Sequence, residues 1–159
     1  MVNDRLGTTQ IAALLDSIGL RQYQISADGG GVLTGWRDDS GDTYRFVVIP
    51  VAGSSSLLLV VQRVLMAPPD EFSLEQLGSL LIAALAFNRR HLLGAWSYDN
   101  QDGELTFQLA IPVDDGVLTE ATLRHCVTAV MQTVGQEAPR LRAVLDGSRT
   151  PRQVLESGS

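Results

Sequence analysis

One run of sequence constrains this chain more than any other: residues 72–88 read as a helix with no polar side. Ser73 can accept a hydrogen bond from the first free backbone N–H groups. Gln76, three residues later, can return the bond, which is the spacing of a capping box. Leu77, Leu80, Leu81, Ala84 and Leu85 recur at helical spacing and predict one inward face. The other side carries Gly78, Ser79, Ile82, Ala83 and Ala86, small or apolar where a surface helix carries charge. A helix apolar all round is normally covered all round. One side is therefore expected on the domain's own sheet and the other against a second helix. Gly78, Ser79, Ile82, Ala83 and Ala86 become the expected homodimer interface.

Composition narrows the classes. A chain of 159 residues with 45% apolar and 19% charged residues suits one globular domain. The longest uncharged apolar run, Leu80 to Phe87, is far too short to span a bilayer, so no membrane partner is expected. The N-terminus lacks a basic-then-apolar export pattern, and Cys126 is a lone cysteine, so a reducing cytoplasmic location is expected. A net charge of −6 argues against a nucleic-acid surface, which needs clustered cations. All twelve basic residues are arginine, which excludes Schiff-base, P-loop and Ser–Lys chemistry.

Along the chain, residues 1–8 read as a flexible lead. Thr8 or Thr9 can cap a first helix in which Ile11, Leu14, Leu15 and Ile18 form a sticky side, expected to bind a partner, with Gly19 as its C-terminal stop. Tyr23 and Ile25 suggest a short extended piece before Asp28-Gly-Gly-Gly31, whose spacing fails as a phosphate cradle and fits a loop. Strands are predicted over 32–37, 43–51 and 57–65, joined by tight turns at Asp38–Asp42 and Gly53–Ser56, which makes an antiparallel meander. Pro68-Pro69 breaks the chain before the central helix. Residues 92–98 read as a fourth strand, Asp99–Gly103 as a hairpin turn, and alternating Leu105, Phe107, Leu109, Ile111 and Val113 as a fifth strand. After a turn at Asp114–Gly116, Thr119 caps a helix with Leu123, Val127, Val130 and Val134 inward, interrupted by Pro139. The domain is expected over 9–145, with 146–159 a polar, frayed tail. The order α-βββ-α-ββ-α with antiparallel hairpins is an α+β fold.

The segment Phe87-Asn-Arg-Arg-His-Leu-Leu-Gly-Ala-Trp-Ser-Tyr-Asp99, with Asp102-Gly-Glu-Leu105 and Leu118-Thr-Glu120, resembles the second half of YbjN-like proteins. Their fold is similar to that of type III secretion chaperones. The resemblance covers residues 72–135 well and the first half only by pattern. It implies a small cytoplasmic protein that forms dimers and binds other proteins. YbjN-like members are also described as sensory-transduction regulators, which implies the alternative of a small-molecule pocket near Trp36 or Trp96.

No residue pattern points to catalysis or a cofactor. His125 and Cys126 are neighbours on a helix, about 100° apart, and cannot pair as base and nucleophile. Cys126 is expected in or beside the core and His125 in solvent. Two histidines and one cysteine at these spacings make no metal set, and Gly53-Ser-Ser-Ser56 is no nucleophile elbow. Arg89-Arg90-His91 is expected to complement the central helix C-terminus. Asn88 shares a side with Leu77, Leu81 and Leu85, and burial there would demand hydrogen bonds to the backbone where the next strand begins. The reading is a non-enzymatic homodimer, chaperone-like, that binds an unidentified protein or peptide.

Overall fold

The computed structural model describes residues 7–113 and 118–157. The expected turn at Asp114–Gly116 and most of the N-terminal lead lie outside the described residues. The elements in order are α1 (Thr8–Ser17), β1 (Tyr23–Ile25), β2 (Val32–Arg37), β3 (Thr43–Pro50), β4 (Ser56–Met66), α2 (Leu74–Asn88), β5 (Ala95–Tyr98), β6 (Glu104–Pro112), α3 (Glu120–Leu145) and α4 (Pro151–Glu156). The strands form one antiparallel sheet in the order β1-β2-β3-β4-β6-β5. The α+β class and the meander stand as read from the sequence.

Alternation decides which face of the sheet is covered. Val32, Thr34 and Trp36 of β2 face inward with Tyr44, Phe46 and Val48 of β3, Leu57, Leu59 and Val61 of β4, and Leu105, Phe107, Leu109 and Ile111 of β6. α1 lies against β1, β2 and β3, and α3 against β4 and β6, so these two helices close the core. Each large side chain sealed there, such as Phe46 or Phe107, contributes about 1.5–3 kcal/mol of burial. The central helix is placed differently from the expectation. It packs on α3, on α4 and on the edge strand β5, and lies at the side of the sheet instead of across it.

Several local expectations are corrected. The extended piece at Tyr23–Ile25 is a full edge strand, registered Tyr23 opposite Thr34 and Ile25 opposite Val32. Three residues are too few to show a period, and only the neighbouring strand defines them. β5 starts at Ala95, because Gly94 turns with φ +79 against the Phe107 ring, where a Cβ would collide at 2.6 Å. The N-cap of α1 is Gly7, whose N–H donates to Gln10 Oε1, and not Thr8 or Thr9. Pro139 does not interrupt α3. It sits on the exposed side, while Ala138, Leu141, Val144 and Leu145 continue the buried face, and that burial outweighs the roughly 3 kcal/mol that an interior proline costs.

The chain after Asp146 is not a frayed tail through its described length. Thr150 Oγ1 accepts from the Gln153 N–H and Gln153 Oε1 accepts from the Thr150 N–H, a complete capping box with Pro151 at the first helical turn. Val154 is fully buried, and α4 packs on α2 and α3. Two adjacent apolar residues, Val154 and Leu155, in a polar stretch were too weak a pattern to reveal this helix.

Candidate interaction surfaces

α2 begins as the sequence dictates: Ser73 Oγ accepts from the Gln76 N–H at 3.2 Å and Gln76 Oε1 accepts from the Ser73 N–H at 3.1 Å. Its orientation differs from the expected one by part of a turn. The buried residues are Leu77, Leu80, Ala83, Ala84 and Phe87. The side turned to solvent carries Leu74 (89% exposed), Ile82 (60%) and Leu85 (65%). These lie at i, i+8 and i+11, with Gly78 and half-buried Leu81 between them on the same side. Of the expected interface, Ile82 is exposed, Gly78, Ser79 and Ala86 are half-buried, and Ala83 is sealed in the chain's own core. Leu85, expected inward, is outward. Composition cannot resolve this rotation, since both sides of the helix are apolar and only α3, α4 and β5 break the tie.

Just beyond the helix the chain exposes two more leucines, Leu92 at 99% and Leu93 at 44%. The sequence reading missed them by assigning them to a strand. The signal was present: a paired leucine between a basic cluster and a glycine fits a loop as well as a strand.

The first helix is not a free sticky surface. Ile11 and Leu15 are fully buried in the core, and Leu14 and Ile18 pack partly against it. The partner-binding expectation for Ile11 and Leu15 is corrected: the amphipathic face of α1 is satisfied by the sheet beneath it.

Asn88 does what burial required. Its Nδ2 donates to the Trp96 carbonyl oxygen and its Oδ1 accepts from the Trp96 N–H. A neighbouring polar cluster was not foreseen. Trp96 Nε1 donates to Glu137 Oε2 at 2.7 Å, and His91 Nε2 lies 2.8 Å from Glu137 Oε1. His91 and Glu137 are nearly enclosed, and the His91 ring meets Phe107 edge-on at 5.4 Å. One carboxylate thus ties the loop after α2, strand β5 and helix α3 together. Glu137, three residues after inward Val134, was the available signal. Of the basic cluster, Arg89 is the C-cap of α2, Arg90 donates to the Leu155 carbonyl of α4, and His91 serves Glu137.

The candidate chemical residues stand apart. Cys126 is buried, which pushes its thiol pKa up, and His125 beside it is exposed. Trp36 packs on Tyr44 and Phe46, and Trp96 on Phe107. Among the described residues no group of histidine, cysteine and carboxylate side chains is placed to hold a metal ion, and no helix is long and apolar enough to cross a membrane.

A helix-covered antiparallel sheet flanked by an apolar helix is the architecture of the type III secretion chaperones, and the comparisons agree. The chain belongs to the YbjN family, described as a "putative bacterial sensory transduction regulator", whose pattern matches residues 8–143. The chain is similar in fold to the structure of the HopA1–SchA chaperone–effector complex, with a TM-score of 0.51 at 14% identity, over 87% of this chain and 91% of that one. It is similar to the ExsC–ExsE complex, with a TM-score of 0.57 at 15% identity, over 84% and 95%. It is also similar to YbjN, "a putative transcription regulator" from E. coli, with a TM-score of 0.57 at 12% identity, over 89% and 91%. No curated protein matches it by sequence.

Proposed function

We propose that this protein is a non-enzymatic, cytoplasmic protein-binding module that works as a chaperone-like homodimer. The observation that carries the reading is the solvent-facing stripe of α2, Leu74, Ile82 and Leu85, with Leu92 and Leu93 after it. Exposed apolar surface of this kind marks an interaction site. A second copy is the occupant that suits α2. Glu75 is the only charged residue of the helix, so the stripe meets its own copy without like-charge repulsion. Outside its own stretch of helix, no atom stands within 4 Å of where a Gly78 Cβ would sit, which leaves room for close approach of a second helix. The fold shared with chaperone–effector complexes supports a protein as the further partner.

Sedimentation velocity at micromolar concentration tests the dimer. The wild-type chain is expected to sediment as a dimer and Ile82→Glu as a folded monomer. A wild-type monomer across the whole concentration range would sink the dimer reading.

A second reading, a regulator that binds a small molecule, is favoured by the family's description. Its test is a thermal-shift screen against a metabolite panel: a ligand that raises the melting point of both wild type and Ile82→Glu supports it, and a flat screen removes it.

A further inference from the structure

The face of the sheet turned away from the helices carries an unpartnered surface of its own. The strand register sets Leu33, Val47 and Val60 in one row across β2, β3 and β4, all half-buried. Ile49 and Leu58 follow in the next row. At the end of this apolar strip Gly35 stands opposite Arg45. Around Gly35 lies a shallow depression of about 390 Å³, bordered by Gln22, Gln24, Leu33, Thr43 and Arg45. The hollow is built into the strand pairing, because a Cβ on Gly35 would lie 2.7 Å from the Tyr44 carbonyl oxygen. Arg45 is exposed and makes no ion pair among the described residues, although the chain carries 18 acidic residues against 12 basic ones. Arg37, on the same outward side of β2, is exposed and likewise without an ion pair among the described residues.

We propose that this face docks a segment of a partner protein that combines apolar side chains with a carboxylate. The apolar side chains lie along Leu33, Val47 and Val60, and the carboxylate enters the Gly35 hollow to meet Arg45. A guanidinium presents a planar fork that matches a carboxylate, and the half-covered apolar rows give the segment something to bury. An oligonucleotide would answer the two arginines but not the apolar rows, and it would meet the net negative charge of the chain. The inference rests on the protein-binding reading above and names the chemistry of the partner.

The probes are two synthetic peptides of about ten residues, alternating Leu and Ser around one central Glu or Gln, titrated into ¹⁵N-labelled protein. The Glu peptide is expected to shift the amides of Leu33, Gly35, Arg45, Val47 and Val60. The Gln peptide should bind about threefold to fivefold more weakly, as an exposed ion pair allows. Arg45→Gln should erase that difference, and Val47→Thr should weaken both peptides alike, each variant keeping the wild-type melting behaviour. Equal affinity for the two peptides, shifts confined to α2, no binding of either at millimolar concentration, or the same shifts from an oligonucleotide alone would each overturn the proposal. Sedimentation of the same samples reports self-association through α2 separately, so loss of this site with an intact dimer leaves the proposed function standing.

Discussion

The side-chain amide of Asn88 occupies the backbone of Trp96 as a neighbouring strand would, donating to its carbonyl at 3.0 Å and accepting from its N–H at 2.6 Å. Trp96 lies on β5, the last strand at one edge of the sheet. An open edge offers unpaired backbone groups to any other chain, and here one residue at the end of α2 closes the middle of it.

Replacing Asn88 with Ala removes both hydrogen bonds and strands a half-buried N–H and C=O. A loss of about 2–3 kcal/mol is expected from two such bonds, measured by urea denaturation. An unchanged midpoint would mean that water replaces the amide freely.

Glu137 holds two donors from different elements, the Trp96 indole and His91. Glu137→Gln turns one acceptor oxygen into an N–H₂ group, so keeping the amide oxygen on the Trp96 indole forces His91 into the tautomer whose Nε2 accepts, and the charge-assisted character of both contacts is lost. The expected cost is about 1–3 kcal/mol, with a shift of the Trp96 indole N–H resonance that a remote destabilisation would not produce. An unmoved indole resonance would show that the carboxylate does not hold the tryptophan.

Leu85 and Ala83 are two residues apart on α2 and face opposite surroundings. Leu85→Glu should change monomer stability by no more than about 0.5 kcal/mol while weakening self-association, since the side chain stands in solvent. Ala83→Glu places a carboxylate in a sealed site and is expected to cost several kcal/mol or prevent folding. Thermal melts with sedimentation separate the two. Reversed outcomes would mean that Ala83 faces solvent and Leu85 the core.

Tyr44 is buried beneath Trp36. Burial pushes its pKa up to about 12, the nearby Asp38 and Asp42 carboxylates add to the rise, and Arg142 opposes it. The folded protein thus holds the phenolic proton more tightly than the unfolded chain does. Its contribution is fully present below pH 10 and is lost as pH rises from 10 through 12. Tyr44→Phe should flatten that alkaline loss, because the group that titrates is removed. Melting curves across pH 8–12 for both proteins check it, and parallel curves would assign the alkaline loss elsewhere.

The features legible from sequence are those that depend on neighbours along the chain. Strand alternation in β6, the turns at Asp38–Asp42 and Asp99–Gly103, and the caps at Ser73 and Thr119 are written in short-range chemistry. The need of Asn88 for backbone partners was legible too, because a half-buried amide has few other ways to be satisfied. Tertiary structure alone decided which way α2 turns, that α1 spends its apolar face on the chain's own sheet, and that Glu137 gathers Trp96 and His91. The reason is physical in each case. A helix apolar on every side has no preferred rotation until α3, α4 and β5 pack against it, and an apolar stripe reads the same whether its cover is internal or a partner. A carboxylate 41 residues from its tryptophan carries no local sign of the meeting.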